Sequence, residues 1–386
     1  MDFKLSKEHE MARKMFREFA ENELEPLAVE IDEEERFPWE SVEKFARYGM
    51  MGIPIPKKYG GAGGDNLMYC IAIEEISKKC ATSSVIVAAH TSLCMGPIMA
   101  FGTEEQKMKW IPDLASGRKI GAFGLTEPGA GTDASGQQTM AVKDGDEYVL
   151  NGTKCFITNG DTASTYVVFA VTDKTKGLKG ISLFVVEKGT PGFSTGLHEK
   201  KMGIRGSSTT DLIFEDCRIP AGNLIGKEGQ GWKICMHTLN GARAGVAAQA
   251  LGIGEGALDL AMKYVQERMQ FKKKLSKFQR TQFEIADMHT KLEAGKLLVY
   301  SAACKEDAYN KGDKTQNYAM DSAMAKLFCG EAASDVTRRC VQLFGGYGYI
   351  REYQVERMMR DAKITEIYEG TSEVQRMVIS GQLGIK

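Results

Sequence analysis

The amino-acid sequence predicts three domains in the order helical, sheet, helical, and three observations carry that expectation. A chain of 386 residues exceeds one ordinary core of about 150, so two or three domains are the prior. All nine prolines lie at or before Pro220, which leaves the last 166 residues without one. Long helices need such a stretch, because a proline ring removes a backbone hydrogen bond and clashes with the preceding turn. Between residues 121 and 220 the pattern changes to short runs of β-branched and aromatic side chains separated by turns.

Residues 1–120 read as helical. Residues 6–32 are dense in Glu, Lys and Ala with recurring Met, Phe and Leu, and residues 67–80 place acids and lysines on one face of a helix. Proline-bearing turns at Pro38, Pro54, Pro56, Pro97 and Pro112 are expected to punctuate these helices. Residues 121–230 read as an antiparallel β domain, with strands in YVVFAV (166–171), ISLFVV (181–186) and DLIF (211–214). Asp144-Gly145-Asp146 and the stretch 174–180 supply turns. Residues 231–386 return to helix: Val246, Ala250, Ile253, Ala257, Ala261 and Tyr264 step along one face, as do Ile285, Met288 and Leu292. This order fits neither a Rossmann fold nor a TIM barrel.

Composition excludes several classes of function. Fifty Lys plus Arg against 51 Asp plus Glu leave a net charge of −1, so nothing electrostatic favours nucleic acid or an anionic membrane. Nine cysteines, singly spaced and odd in number, suggest a reducing compartment and buried thiols. The start MDFKLSKEHE lacks the features of a signal or transit peptide. No apolar run approaches the ~18 residues that span a bilayer; the best, Ser83 to Ala89, ends at His90. A soluble, cytoplasmic protein is expected.

Most chemistry-bearing motifs are absent. Gly252-x-Gly254-x-Gly256 lies inside a helical pattern with no strand before it, so close packing explains it better than a dinucleotide fingerprint. Gly60 to Gly64 follow a proline-rich segment and read as a loop. The five histidines are scattered, without metal-ligand spacing, and no metal is expected. P-loop and G-x-S-x-G patterns are missing.

Two segments remain. In Phe123 to Asp133, glycines 129 and 131 permit close backbone approach to a ligand, and Thr126 and Thr132 offer hydroxyls; a tight turn with Asx-type bonds is the plainer alternative. In Ile364 to Glu373, Thr371 is a candidate N-cap, and the helix start it implies presents free N–H groups beside Glu369. A carboxylate next to an oxygen-polarising amide suits α-proton abstraction beside a carbonyl, though a solvated glutamate explains Glu369 as well.

Taken together and in order, LTEPGAGTDASG (125–136), FITN (156–159), Arg268-x-Gln270-Phe271, KFQ (277–279), Gln342-Leu-Phe-Gly-Gly346 and IYEGTSE (367–373) resemble the acyl-CoA dehydrogenases, most closely the short-chain butyryl-CoA type of anaerobic bacteria. The resemblance spans essentially the whole chain. It implies the fold of that family, with a C-terminal domain of four-helix-bundle type, noncovalent FAD between the β and C-terminal domains, and a homotetramer, a dimer of dimers. It places Phe123, Leu125, Thr126, Gly131, Thr132, Phe156, Ile157 and Thr158 around the flavin ring. From the neighbouring subunit it brings Arg268, Phe271, Gln279, Gln342, Gly345 and Gly346 to the rest of FAD, with Thr371 and Glu373 also on the cofactor. Thr132, Asn240, Arg243 and Gly370 match acyl-CoA contacts. Glu369 matches the base that removes the α-proton while the β-hydrogen leaves as hydride, with electrons passing to an electron-transferring flavoprotein.

The sequence departs from the family in two places. Lys272 and Lys274 stand where glycine and, two residues on, proline are usual, and Asn240 and Ala242 replace the usual aspartate and glycine. Two alternatives accompany the dehydrogenase reading. One is the same site run in reverse as an enoyl-CoA reductase of crotonyl-, acryloyl- or arylacrylyl-CoA type; the other is a helical scaffold without activity.

Overall fold

The computed structural model describes residues 4–385. The first part holds α1 (Lys7–Phe19), α2 (Ala28–Glu34), α3 (Trp39–Arg47), α4 (Asn66–Ser77), α5 (Ala81–Ala88), α6 (Gly96–Phe101) and α7 (Glu104–Ala115). Side-chain caps start three of them. Ser6 accepts from His9 N at α1, Asp65 from Met68 N at α4, and Thr103 with Gln106 closes a reciprocal capping box at α7.

The sheet part comprises β1 (Gly121–Gly124), β2 (Met140–Asp144), β3 (Glu147–Thr158), β4 (Thr165–Val171), β5 (Ile181–Glu187), β6 (Phe193–Thr195), β7 (Thr209–Pro220) and β8 (Leu224–Ile225). They form one sheet in the order β6-β7-β3-β2-β4-β5-β8, with β1 also on β4. Asp144 pairs with Glu147 across the expected turn at Gly145. The sheet is not antiparallel throughout: β1 runs parallel to β4, and Met140 of β2 pairs in parallel with Val171 of β4. Chain order explains this, because β1 arrives from the helical part and lies beside β4 after the intervening β2–β3 hairpin.

Three long helices dominate the remainder: α8 (Gly231–Glu267), then, after the short hairpin β9 (Met269–Gln270) and β10 (Lys273–Lys274), α9 (Gln279–Asn310) and α10 (Tyr318–Phe344). The shorter α11 (Val355–Lys363) and α12 (Ser372–Gln382) end the chain. α8 is the axis of the molecule, packing on α4, α9, α10 and α11. Its glycines act by packing, as expected. A Cβ at Gly252 would meet the Glu74 carbonyl oxygen at 2.2 Å, and one at Gly256 the Lys78 carbonyl oxygen at 2.2 Å.

Other expectations need correction. The face on which α4 carries its acids, left open by the sequence, is buried rather than solvated. Glu74 and Glu75 are buried and meet Arg13 and Arg17 of α1, with Lys78 and Lys296 beside them; Glu255 of α8 takes Lys78 and Lys296 at 2.9 and 2.7 Å. This ionic cluster joins the first and third parts of the chain. Pro97 and Pro112 lie within helices α6 and α7 rather than between them; Pro97 sits in a first turn, where no N–H is needed. Ala81–Phe101 is one helical run of 21 residues with mean hydropathy 1.6, long and apolar enough to cross a membrane. Its Ser, Thr and His residues interrupt the apolar run in the sequence without adding any charge. Most of it is buried inside the protein, as a core helix is.

Gly252 and Gly254 separate two effects of one substitution. Gly254→Ala meets only the flexible tip of Leu292 at 2.8 Å, and the gain in helix propensity of up to about 1 kcal/mol offsets that. Gly252→Ala meets backbone and should cost about 1–3 kcal/mol. Melting midpoints should show the second variant clearly below both the first and the wild type.

Candidate active site

A cavity of about 450 Å³ opens where the β1–β2 loop, the end of β3, α8 and the C-terminal turn converge. The loop contributes Leu125, Thr126, Gly131 and Thr132, with Phe123 of β1 beside them. What shapes this loop is a buried ion pair. Lys154 of β3 donates to the Leu125 carbonyl at 3.1 Å, to Glu127 Oε1 at 2.7 Å and to Gln137 Oε1 at 3.1 Å. Glu127 in turn accepts from the backbone N–H groups of Gln138 and Thr139 at 2.5 and 3.0 Å. Burial lowers the Lys154 pKa to about 8 against the pull of Glu127. Burial also pushes Glu127 up, but the Lys154 charge and its hydrogen bonds hold it below the usual carboxylate range.

The β3 edge of the cavity depends on a break in register. Pairing with β7 shifts between Lys154 and Ile157, and Phe156 and Asn159 adopt left-handed φ of 58° and 62°. The break re-aims the strand end, so that Phe156, Ile157 and Thr158 all line the cavity. Asn159 locks it by donating to the Ile86 and Gly121 carbonyls, both at 3.2 Å.

Glu369 stands on the opposite wall, in a left-handed turn with φ 52° followed by Gly370 at 93°. Tyr368 before it donates to Gln249 of α8, which itself donates to Ala81 O and Ser84 Oγ at 3.2 and 3.1 Å. Thr371 after it caps α12, accepting from Val374 N at 3.3 Å, which agrees with the helix start read from the sequence. The Glu369 Oε2 atom is buried and has no hydrogen-bond partner. Burial raises this carboxyl to about 7, with the positive charges of Lys326 and Arg243 pulling it back.

The remaining expected residues divide. Arg243 and Gly370 line the cavity; Asn240 does not, but holds Arg243 through a 2.8 Å bond from Nη1 to its Oδ1. Glu373 is exposed in the first turn of α12. Arg268, Gly345 and Gly346 line a second cavity that shares no residue with the first. Phe271 is 87% exposed in the β9–β10 hairpin, and Gln279 and Gln342 are exposed on α9 and α10. Sequence reading missed Val85, Ala89, Leu93, Trp232, Met236 and Leu239 on the apolar wall, and the polar supports Glu127, Lys154, Lys326 and Gln375. Lys154 had a signal: it shares the inward face of β3 with Tyr148 and Leu150 at a spacing of two.

The acyl-CoA dehydrogenase N-terminal, middle and C-terminal domains match residues 6–118, 122–217 and 229–384. The chain belongs to the acyl-CoA dehydrogenase family. It is 59% identical to a short-chain specific acyl-CoA dehydrogenase of Clostridium acetobutylicum, covering 99% of this chain and 100% of that one. It is 53% identical to the acryloyl-CoA reductase (NADH) of Anaerotignum propionicum, covering 99% and 96%. The butyryl-CoA dehydrogenase structure from Megasphaera elsdenii superposes with a TM-score of 0.96 at 50% identity, covering 99% and 100%. A chain in the structure of the electron transferring flavoprotein of Acidaminococcus fermentans does so with 0.96 at 52%, covering 99% of each. Proteins of this family are FAD-dependent oxidoreductases.

Lys154→Met leaves Glu127 buried without its cation and should destabilise by about 3–5 kcal/mol. Adding Glu127→Leu should restore part of that loss, and a double-mutant cycle on melting curves measures the coupling.

Proposed function

We propose that this chain catalyses the FAD-dependent α,β-dehydrogenation of a short-chain acyl-CoA thioester to the trans-2-enoyl-CoA, with Glu369 as the base. One observation supports this above the others: an unpartnered, buried carboxylate oxygen at the edge of a largely apolar cavity of small-ligand size. The cavity also fits the flavin. Gly129 and Gly131 have nothing within 4 Å of where a Cβ would stand, and the Thr126, Thr132 and Thr158 side chains offer polar groups to a ring edge. FAD, when bound there, accepts the β-hydrogen as hydride.

The chain's own residues do the rest. Glu369 Oε takes the α-proton, while its backbone N–H donates to the thioester oxygen and stabilises enolate-like charge. Asn240 orients Arg243 beside the acyl-CoA; Thr132 and Gly370 complete that contact. Val85, Ala89 and Leu93 exclude water from the carbon chain. A short acyl group is the substrate class that the short-chain relative at 59% identity supports.

The same carboxyl, protonated, serves the reverse reduction of an enoyl-CoA, and the likeness to an acryloyl-CoA reductase favours keeping that direction open. The likeness to a chain found with an electron transferring flavoprotein supports such a flavoprotein as electron partner. The cavity at Arg268, Gly345 and Gly346 is separate from the one at Glu369, and Phe271 and Tyr349 beside it are 87% and 86% exposed. Exposed aromatics around a pocket suit a second copy of the chain, so we place those residues, with Gln279 and Gln342, against the FAD of a neighbouring subunit in a homotetramer. Thr371 and Glu373 complete the set on the cofactor.

Anaerobic titration with a panel of acyl-CoA thioesters tests this directly. Flavin bleaching by butyryl-CoA and recovery with crotonyl-CoA are expected; no response to any thioester overturns the substrate class. Glu369→Gln should keep the yellow flavin and lose turnover by roughly 100-fold or more. The pH dependence follows from a carboxyl raised to about 7. Dehydrogenation needs the ionised form, so its kcat/KM should fall below that pH, whereas enoyl-CoA reduction needs the protonated form and should fall above it.

A further inference from the structure

Lys326, in the first third of α10, is 1% exposed. Among the described residues no carboxylate stands within salt-bridge distance of it; its one hydrogen bond goes to the Gly370 carbonyl, at 2.6 Å. The other lysine buried to this degree, Lys154, has Glu127 at 2.7 Å. A buried ammonium without a contacting anion destabilises a fold, so stability alone gives no reason for Lys326. Its place does. The same Gly370 oxygen accepts from Gln375 Nε2 at 2.7 Å, so two donors clamp a turn whose two residues have φ of 52° and 93°.

We infer that Lys326 is the positioning residue of the active site: its ammonium clamps the Gly370 carbonyl, fixes the left-handed Glu369–Gly370 turn, and lends the buried Glu369 carboxylate a positive charge without touching it. A direct ion pair would occupy the oxygen that must take a proton. Glu369 Oε2 has no hydrogen-bond partner, and the cation acts through the turn and through space.

The other groups in the field of Glu369 are known. Arg243 of α8 supplies the second positive charge, and Tyr69 of α4 and Tyr368 are phenols held neutral by burial. Glu366 and Glu373 favour the charged form of Lys326, as Glu369 does, and Arg243 opposes it. Burial lowers Lys326 to about 8 and raises Glu369 to about 7, so both groups are charged together only in a narrow interval near neutrality.

The inference rests on the assignment of Glu369 as base, and the experiment separates the two. The purified flavoprotein and its Lys326→Gln, Lys326→Arg and Lys326→Met variants are compared in kcat/KM for butyryl-CoA from pH 5.5 to about 9.5, with flavin content measured in each. Lys326→Gln can keep the hydrogen bond but lacks the charge, so its acid limb should move up by about one pH unit or more. It should be about five-fold or more slower at pH 7 and recover at high pH. Lys326→Arg should keep the wild-type limb, and Lys326→Met, lacking the clamp as well, should stay slow on the alkaline plateau. A wild-type limb in Lys326→Gln, or a loss equal at every pH, overturns the role of Lys326. If Lys326→Gln does not hold flavin, Lys326→Arg decides, because a displaced limb in a variant that keeps the charge also overturns it. A wild-type flavin that no acyl-CoA reduces and no enoyl-CoA reoxidises overturns the Glu369 assignment and this inference with it.

Discussion

The closeness of α8 to its neighbours is the constraint on which the rest of the molecule depends. At Gly252 and Gly256 there is no room even for a methyl group against the backbone of the α4 region, and one at Gly254 would meet Leu292 of α9 at 2.8 Å. Because helix axes approach only as far as their side chains permit, these glycines set the distances between the first and third parts of the chain. Four groups near Glu369 depend on those distances: Arg243 and Gln249 on α8, Lys326 on α10 and Tyr69 on α4. Arg243 and Gln249 lie within three turns of Gly252 on a continuous helix, so moving α8 away from α4 would move both.

Charge burial is used in two different ways on this scaffold. In the structural clusters the partners touch: Lys154 with Glu127, Glu255 with Lys78 and Lys296. Contact offsets much of the desolvation cost, and each pair fixes a backbone segment, the β1–β2 loop in one case and the α4–α8 junction in the other. At Glu369 the cations are held back. The carboxyl is raised by desolvation, is partly neutralised from a distance by Lys326 and Arg243, and keeps an oxygen free. The base we propose Glu369 to be needs that balance near neutral pH, since a contacting cation would lower its proton affinity and occupy the reacting atom.

Much of this was legible in the sequence where local chemistry decides. The period along Val246 to Tyr264 gave α8 because a long, proline-free, small-residue pattern has no other outcome, and Thr371 read as an N-cap because the hydroxyl bonds within three residues. The residues assigned by motif to the flavin, Phe123, Leu125, Thr126, Gly131, Thr132 and Phe156 to Thr158, meet at one cavity. What escaped was set by distant segments. The acids of α4 read only as one face of a helix until α1 and α9 cover them with arginines and a lysine. Lys326 sits in AMAKLF, an ordinary helical stretch, and its significance comes only from the turn 44 residues later that it meets. The direction of β1 depended on which strand it would lie beside.

The β9–β10 hairpin shows how the backbone absorbs a departure in sequence. Lys272 stands where the resemblance leads one to expect glycine, and its φ is 63°, in the left-handed region that glycine enters freely. Lys274 stands where proline is expected, and its φ is −63°, the value a pyrrolidine ring imposes. The loop therefore keeps the conformation that glycine and proline would prefer, while paying the small strain of a side chain at Lys272. What the three lysines change is charge and contact: all are exposed, and Lys273 Nζ lies 4.0 Å from the centre of the Phe278 ring. Glu369 makes the same conformational compromise at φ 52°, but there no glycine could serve the function we propose, because that function lies in the side chain. Strain at a replaceable position and strain at the proposed base are alike in geometry; the packing around each tells them apart, an open hairpin at Lys272 and a turn clamped by Lys326 and Gln375 at Glu369.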